Sequence, residues 1–183
     1  MAEQRIEPPR IKEIPENELS SEQAKVFKDL VAGRGRLLTP YKIWIHSPQV
    51  AAAMETLGTF LNKKSSLTER EVELTICLIA NHWKGEYVWA AHVKMCKDLG
   101  FSQAVFDAIA AGRTPELPDP REKAVYDLAM ISMAPGGGSD EVFARAEKIL
   151  GRNGIAEVVV LLGYYSSVAM GMKLHRVPVP GVK

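Results

Sequence analysis

The chain has 183 residues, 46% of them hydrophobic, and its 23 basic and 22 acidic side chains leave a formal charge of +1. A chain of this length can bury a hydrophobic core without disulfides or metals to stabilise it. The balanced charge provides no basic surface of the kind that binds nucleic acid or an anionic membrane, so we expect neither partner.

The N-terminal residues differ in composition from the rest of the chain. Pro8, Pro9 and Pro15 lie among charged residues, and proline disfavours regular helix. The sequence therefore predicts an extended arm over residues 1–19, lying on the body or on a neighbouring chain, and a single helical domain over residues 20–183. The start of the chain lacks the apolar run of a signal peptide, and the two cysteines form no dense framework. These features predict a cytoplasmic protein with reduced thiols.

Caps and glycines mark the first predicted helices. Ser20 and Gln23 have the spacing of a capping box, and they predict a helix that ends at the glycines within residues 33–35. Residues 36–46 are interpreted as a connector with apolar anchors. Ser47 is the predicted N-cap of the following helix, because a proline at the first helical position comes directly after it.

The next predicted helix is the most apolar of the chain. Thr68 and Glu71 form a second capping box, and the residues from 74 to 80 are apolar on almost every side, which is typical of a central helix. Gly85 ends this helix, and a further helix runs from there to Gly100. The sequence thus predicts two consecutive helices separated by a break at Gly85.

The C-terminal half repeats the same signals. Ser102, Asp119 and Ser139 are predicted N-caps of three helices, and the glycines within residues 151–154 separate the third from a last long helix. The apolar run at residues 158–172 is shorter than a membrane span and is interpreted as a buried helix. The sequence therefore predicts an all-α fold, a bundle of about seven helices.

Two titratable residues lie where apolar residues are expected. His92 shares the apolar stripe of its helix with Trp89 and Cys96, so it is either a core histidine bonded to a carbonyl or a reactive group. Glu73 lies near the start of the most apolar helix, where it either faces solvent or is paired inside. Periodicity leaves these alternatives open. No histidines or acids have the spacing of metal ligands, so we expect no metal site.

The stretch LTEREVELTICLIANHWKGEYVWAAHVKMCKDLGFSQAVFDAI, residues 67–109, resembles the carboxymuconolactone decarboxylase family, part of the alkylhydroperoxidase D-like superfamily. The matching features are the run at residues 70–78, Tyr87, Trp89, His92 and the run at residues 99–102. The resemblance implies an alkylhydroperoxidase D-like helical bundle that assembles as a homotrimer or homohexamer.

The resemblance also implies a site. It makes Glu73 and His92 the catalytic residues of a proton relay. It places five residues around the substrate pocket: Tyr87, Trp89, Val88, Gly85 and Cys96. The peroxidase branch of the superfamily has a CxxC pair seven and four positions before the histidine, and here these positions are Gly85 and Val88. The departure favours the decarboxylase branch, which implies acid and base decarboxylation, or a related lyase or hydrolase step, on a small lactone or carboxylic acid without a cofactor.

Two alternatives remain open at this stage. The first is alkylhydroperoxidase or peroxiredoxin-type activity with Cys96 beside His92, although Cys77 and Cys96 are nineteen residues apart and do not replace the CxxC pair. The second is a non-catalytic oligomeric binding protein. A substrate carboxylate needs a basic residue to bind it. The basic residues near the motif are Arg70, Lys84 and Lys94, and their positions in the sequence do not indicate which would bind it.

Overall fold

A computed structural model describes residues 8–179 of the chain. Those residues form eight α-helices and one short 3-10 helix at Glu16–Glu18, with no strand among them, so the predicted all-α fold is confirmed. The helices are α1 (Ser21–Arg34), α2 (Thr39–Trp44), α3 (Pro48–Lys63), α4 (Glu69–His82), α5 (Glu86–Asp98), α6 (Gln103–Ala110), α7 (Pro120–Met133) and α8 (Asp140–Leu174).

The predicted capping boxes are present. The Ser20 side chain accepts a hydrogen bond from the backbone N–H of Gln23, whose own side chain accepts one from the N–H of Ser20. Thr68 and Glu71 form the same reciprocal pair at the start of α4. Asp119 caps α7 as predicted. These bonds satisfy backbone N–H groups that have no partner inside the helix, which is why the helices begin at these residues.

One boundary differs from the sequence prediction, and one predicted break is present. The segment at residues 36–46, interpreted as a connector, contains the six-residue helix α2, with Pro40 in its first turn, where proline is tolerated. The break predicted within residues 151–154 falls at Gly151, whose φ of 71° and ψ of 170° are not helical. The chain is helical on both sides of Gly151, so the predicted break is present and α8 consists of two helical segments that meet at a kink.

Helix α4 is the central element, and it packs against α5, α7 and α8. Every residue from Glu71 to Ala80 is buried, as the apolar run predicted. By length and composition alone α8 is apolar enough to cross a membrane, but half of its most apolar window is buried against the other helices. The run at residues 158–172 contributes to that core, which agrees with its interpretation as a buried helix.

The described part of the N-terminal segment, residues 8–19, lies on the body of the fold. The backbone N–H of Arg10 donates to the carbonyl of His175, and a ring nitrogen of His46 lies 2.8 Å from the carbonyl of Lys12. Ile14 packs against a small apolar cluster under α1 and α2. The rest of the predicted arm, residues 1–7, lies outside the described residues.

Candidate functional site

Glu73 and His92 meet across the α4–α5 hairpin. Oε2 of Glu73 lies 2.7 Å from Nδ1 of His92, and the two side chains are 11% and 16% exposed. Of the alternatives that the sequence left open, the structure therefore shows Glu73 paired inside and His92 beside a carboxylate. The two residues lie on different helices, and the crossing of α4 and α5 brings their side chains to the same level.

The turn of the hairpin explains how the two helices come so close. Only residues 83–85 separate α4 from α5, and the N–H of Gly85 donates to the carbonyl of Ala80. Lys84 has a φ of 52°, which lets the chain reverse within these residues. A Cβ on Gly85 would lie 3.1 Å from the Cβ of Ala169. The glycine therefore lets the turn pack directly on α8.

The imidazole of His92 is held on a second side by an aromatic ring. The ring of Tyr165 lies 5.4 Å from it in an edge-to-face arrangement, and the hydroxyl of Tyr165 donates to Oδ1 of Asn62. An ionised carboxylate only accepts hydrogen bonds, so Nδ1 of His92 donates to Glu73. In the neutral imidazole this arrangement leaves Nε2 as the proton acceptor, and in the imidazolium Nε2 is a donor.

The Glu73–His92 pair, called the couple from here on, opens onto a cavity of about 650 Å³. Tyr87 and Val88, both predicted for the substrate pocket, line it together with Glu73 and His92. The hydroxyl of Tyr87 lies 3.0 Å from Oγ1 of Thr39 on α2. The other walls are mainly apolar and aromatic, and they include Val72, Tyr164, Tyr165, Val168 and Met172. A concave, largely apolar space with a few convergent polar groups is the usual form of a small-molecule site.

Three residues predicted for the substrate pocket do not line this cavity. Trp89 packs instead against the core, with its ring 6.2 Å from that of Phe106, because it lies on the side of α5 that faces α6. Cys96 is fully buried beneath the couple. Gly85 lines a smaller neighbouring cavity of about 260 Å³. Helical spacing from His92 placed these residues near the histidine but could not tell which side of α5 faces the cavity.

The sequence analysis missed the basic residues of the cavity. Arg36, Lys42 and Lys63 line it, whereas the basic residues near the motif, Arg70, Lys84 and Lys94, do not. Lys42 forms an ion pair with Glu13, and Arg36 and Lys63 are exposed at the surface. No sequence signal connected these residues with His92, because they come from the end of α3, from α2 and from the segment that precedes α2.

The two cysteines lie side by side below the couple. The Sγ atoms of Cys77 and Cys96 are 3.6 Å apart, and both residues are fully buried. The hydrogen bond to Cys96 and burial raise the pKa of the Cys77 thiol well above its ordinary value. The hairpin brings these two cysteines together across nineteen residues of sequence, as it does Glu73 and His92. Within residues 8–179 no group of three or more His, Cys, Asp and Glu side chains is arranged to hold a metal.

No protein-family model matches the chain, and no curated protein matches it. Solved structures share its fold. An alkylhydroperoxidase AhpD core, an uncharacterised peroxidase-related protein from Ralstonia eutropha JMP134, has a TM-score of 0.74 and 14% identity, covering 96% of this chain and 94% of that chain. A second peroxidase-related protein, from Silicibacter sp. TM1040, has a TM-score of 0.73 and 15% identity, again covering 96% of this chain and 94% of that chain.

A third solved structure of this fold contains a ligand. It is an alanine variant of the debrominase Bmp8 in complex with 2,3,4-tribromopyrrole, with a TM-score of 0.68 and 12% identity, covering 93% of this chain and 91% of that chain. At these identities the similarity shows the fold alone. The chain therefore has an AhpD-like helical fold, as the sequence resemblance implied.

Proposed function

We propose that the chain is an enzyme that uses Glu73 and His92 as an acid and base couple, without a cofactor, to decarboxylate a small lactone or carboxylic acid. The observation that carries the proposal is the 2.7 Å contact between the two side chains at the wall of a cavity of about 650 Å³. The resemblance to the carboxymuconolactone decarboxylase family supplies the reaction class.

The couple provides the proton chemistry that such a reaction needs. Loss of carbon dioxide beside an unsaturated lactone leaves a dienolate, which must be stabilised at oxygen and protonated at carbon. Nδ1 of His92 is engaged by Glu73, so Nε2 exchanges the proton with the substrate. The Glu73 carboxylate stabilises the imidazolium, and the apolar walls of the cavity strengthen that interaction because they lower the local dielectric.

The basic residues of the cavity fit the charge of the proposed substrate. Arg36 and Lys63 line the same cavity as His92 and are exposed, so they can meet a carboxylate before it is desolvated. Arginine binds a carboxylate with two parallel hydrogen bonds, which orients the substrate as well as attracting it. We propose that, in a substrate with two carboxylates, Arg36 and Lys63 hold the one that is retained, with the reacting carbon toward His92.

The alternatives are less well supported. A thiol peroxidase needs an accessible thiolate, whereas Cys77 and Cys96 are buried and burial contributes to the raised pKa of Cys77. A binding protein without chemistry would have no need for a buried carboxylate paired with a histidine at the cavity wall. The debrominase of this fold that was crystallised with 2,3,4-tribromopyrrole supports a small unsaturated ring as the kind of molecule that the fold admits.

The experiment is a screen of unsaturated lactone carboxylic acids and keto acids for release of carbon dioxide. We expect Glu73→Gln and His92→Gln each to reduce turnover by about 10²- to 10⁴-fold, the ordinary effect of losing a general acid or base. The double variant should lose much less than the product of the two effects, because the residues act as a unit. His82→Gln, which changes an exposed histidine at the end of α4, is the matched control. Turnover that survives in His92→Gln would contradict the proposal.

The proposal extends to assembly and location. Val159, Val160 and Met170 are exposed apolar residues of α8, which supports a homotrimer or homohexamer that covers them. The sequence has two cysteines and no dense cysteine framework, which supports a reducing compartment such as the cytoplasm. A solution mass of a single chain at micromolar concentration would contradict the oligomer.

A further inference from the structure

The buried pair Cys77 and Cys96 has no part in the proposed chemistry, yet it lies directly behind it. Cys77 comes four residues after Glu73 on α4, and Cys96 comes four residues after His92 on α5, so each thiol is one helical turn from a member of the couple. The two sulfurs are in contact between the same two helices as the carboxylate and the imidazole, and both cysteines are fully buried.

The two sulfurs are close together but are not joined by a disulfide. A disulfide has a sulfur–sulfur distance of about 2.05 Å, and the two sulfurs are 3.6 Å apart. Closing the gap of roughly 1.5 Å takes rotation of the two side chains, and a shift of α5 against α4 closes any part of the gap that rotation leaves. Because His92 lies one turn away on the same helix, this displacement acts on the hydrogen bond to Glu73.

Helix α5 is the less buried of the two helices of the hairpin. Only Val88 and Cys96 are buried along α5, whereas α4 is buried from Glu71 to Ala80. A helix with few buried residues opens locally at lower free energy than the core does. Local opening of α5 therefore provides the path by which a small oxidant reaches sulfurs that are inaccessible in the closed structure.

We propose that Cys77 and Cys96 form a redox-responsive pair, and that hydroperoxide converts them to a disulfide that joins α4 to α5 and weakens the Glu73–His92 contact. One thiol, as its thiolate, attacks the peroxide and forms a sulfenic acid with loss of water or alcohol. The second thiol attacks the sulfenic sulfur, the S–S bond forms and water leaves. Two thiols are oxidised and one peroxide is reduced. A thiol reductant reverses the reaction.

This pair is a sensor and not a peroxidase site. The raised pKa of the Cys77 thiol keeps it protonated at neutral pH, so its attack on peroxide is slow. Slow oxidation gives no useful turnover, but a disulfide accumulates under sustained exposure. The effect on catalysis rests on the proposed function, whereas the disulfide and the disturbed imidazole do not, so the two can be tested separately.

The first test treats the full-length protein with hydrogen peroxide and measures its intact mass and its peptides without reduction. We expect the peptide from α4 to be joined to the peptide from α5, with the loss of about 2 Da that accompanies a disulfide and its recovery with dithiothreitol. Cys77→Ala and Cys96→Ala, two independent small replacements, should each abolish the crosslink. Two free thiols after oxidation sufficient to convert exposed methionines to sulfoxides would overturn the proposal.

The second test follows the imidazole directly by nitrogen NMR of histidine side chains, with the His92 signals assigned by His92→Gln. Oxidation should shift the His92 signals in the wild type and leave them unchanged in whichever cysteine variant is folded. A disulfide that forms while the His92 signals stay in place would overturn the link to the couple. Shifted signals without any loss of turnover would leave the redox pair intact and contradict the proposed function instead.

Discussion

Glu71 and Glu73 are two buried carboxylates of the same helix, and they have different partners. Two residues apart, they point to nearly opposite sides of α4. Both oxygens of Glu71 bind the guanidinium of Arg121 on α7, at 2.7 and 3.2 Å, and one also accepts the N–H of Thr68. Glu73 faces α5, and within residues 8–179 its carboxylate binds the imidazole of His92. One helix therefore carries two charged contacts of very different chemistry.

The difference lies in what the partner can do with a proton. A guanidinium stays charged at every pH a protein meets, so it can hold a carboxylate but cannot exchange a proton. The α4–α7 contact has a second pair of this kind, in which Arg70 donates to Glu122 and stacks on Phe101 at 3.8 Å. We interpret the α4–α7 side as the part that stabilises the fold and the α4–α5 side as the part that carries chemistry. Burial alone would not have separated them.

The strongest test of this difference between Glu71 and Glu73 is to replace each carboxylate by its amide. We expect Glu71→Gln to lower the free energy of unfolding by about 3 kcal/mol, the low end for breaking a buried ion pair, because Arg121 stays partly in solvent. Glu73→Gln should cost less than about 1 kcal/mol, since an amide oxygen still accepts from His92. Urea unfolding measures both losses of stability. Turnover should show the opposite order, with the larger loss in Glu73→Gln. Equal losses of stability would contradict the division.

A smaller effect should appear as a dependence of stability on pH. The pKa of Cys77 is raised in the folded state, so the folded protein favours the protonated thiol. The stability that this thiol contributes is fully present below the thiol pKa of the unfolded chain, about 8.5. It is lost as the pH rises above that value. The free energy of unfolding should fall by about 1.4 kcal/mol for each pH unit between about 8.5 and 10. Cys77→Ala should remove this slope. Urea unfolding across that range tests it, and an unchanged slope in the variant would exclude Cys77 as its source.

The pairs of the α4–α7 side should add nothing to that slope. The hydrogen bond to Glu122 is the main cause that raises the pKa of Arg70, and the bond to Glu71 does the same for Arg121. Both guanidiniums therefore titrate only above the pH range of the measurement. The pH dependence thus separates the two sides of α4 without any substrate.

The smallest expected effect concerns the geometry of one cation. Arg70→Lys keeps the charge but loses the fork that reaches both Glu122 and the carbonyl of Leu99, and it loses the stacking on Phe101. We expect a cost of about 1 kcal/mol in thermal or urea unfolding. Lys94→Ala, which removes an exposed pair on α5, is the control and should change stability by less than about 0.5 kcal/mol. An equal effect of the two variants would contradict the role given to Arg70.

Much of the site was predictable because its signals are local. Capping residues, the glycine of the hairpin turn and the apolar run of α4 act on their own neighbours in the chain, so they marked the helix boundaries correctly. The resemblance to the carboxymuconolactone decarboxylase family selected Glu73 and His92. The periodicity of each helix showed that both residues were unusual for their positions, although it could not show that they touch.

The tertiary structure decided what depends on how helices cross. It brought Cys77 to Cys96 and turned Trp89 away from the cavity, and it placed Arg36 and Lys63 at the cavity wall. Each of these outcomes follows from the distance and angle at which the helices pack against one another, and those are set by the packing of the whole core. Sequence spacing determines the face of a helix on which a residue lies. The neighbour that this face meets is determined only when the other helices have packed around it.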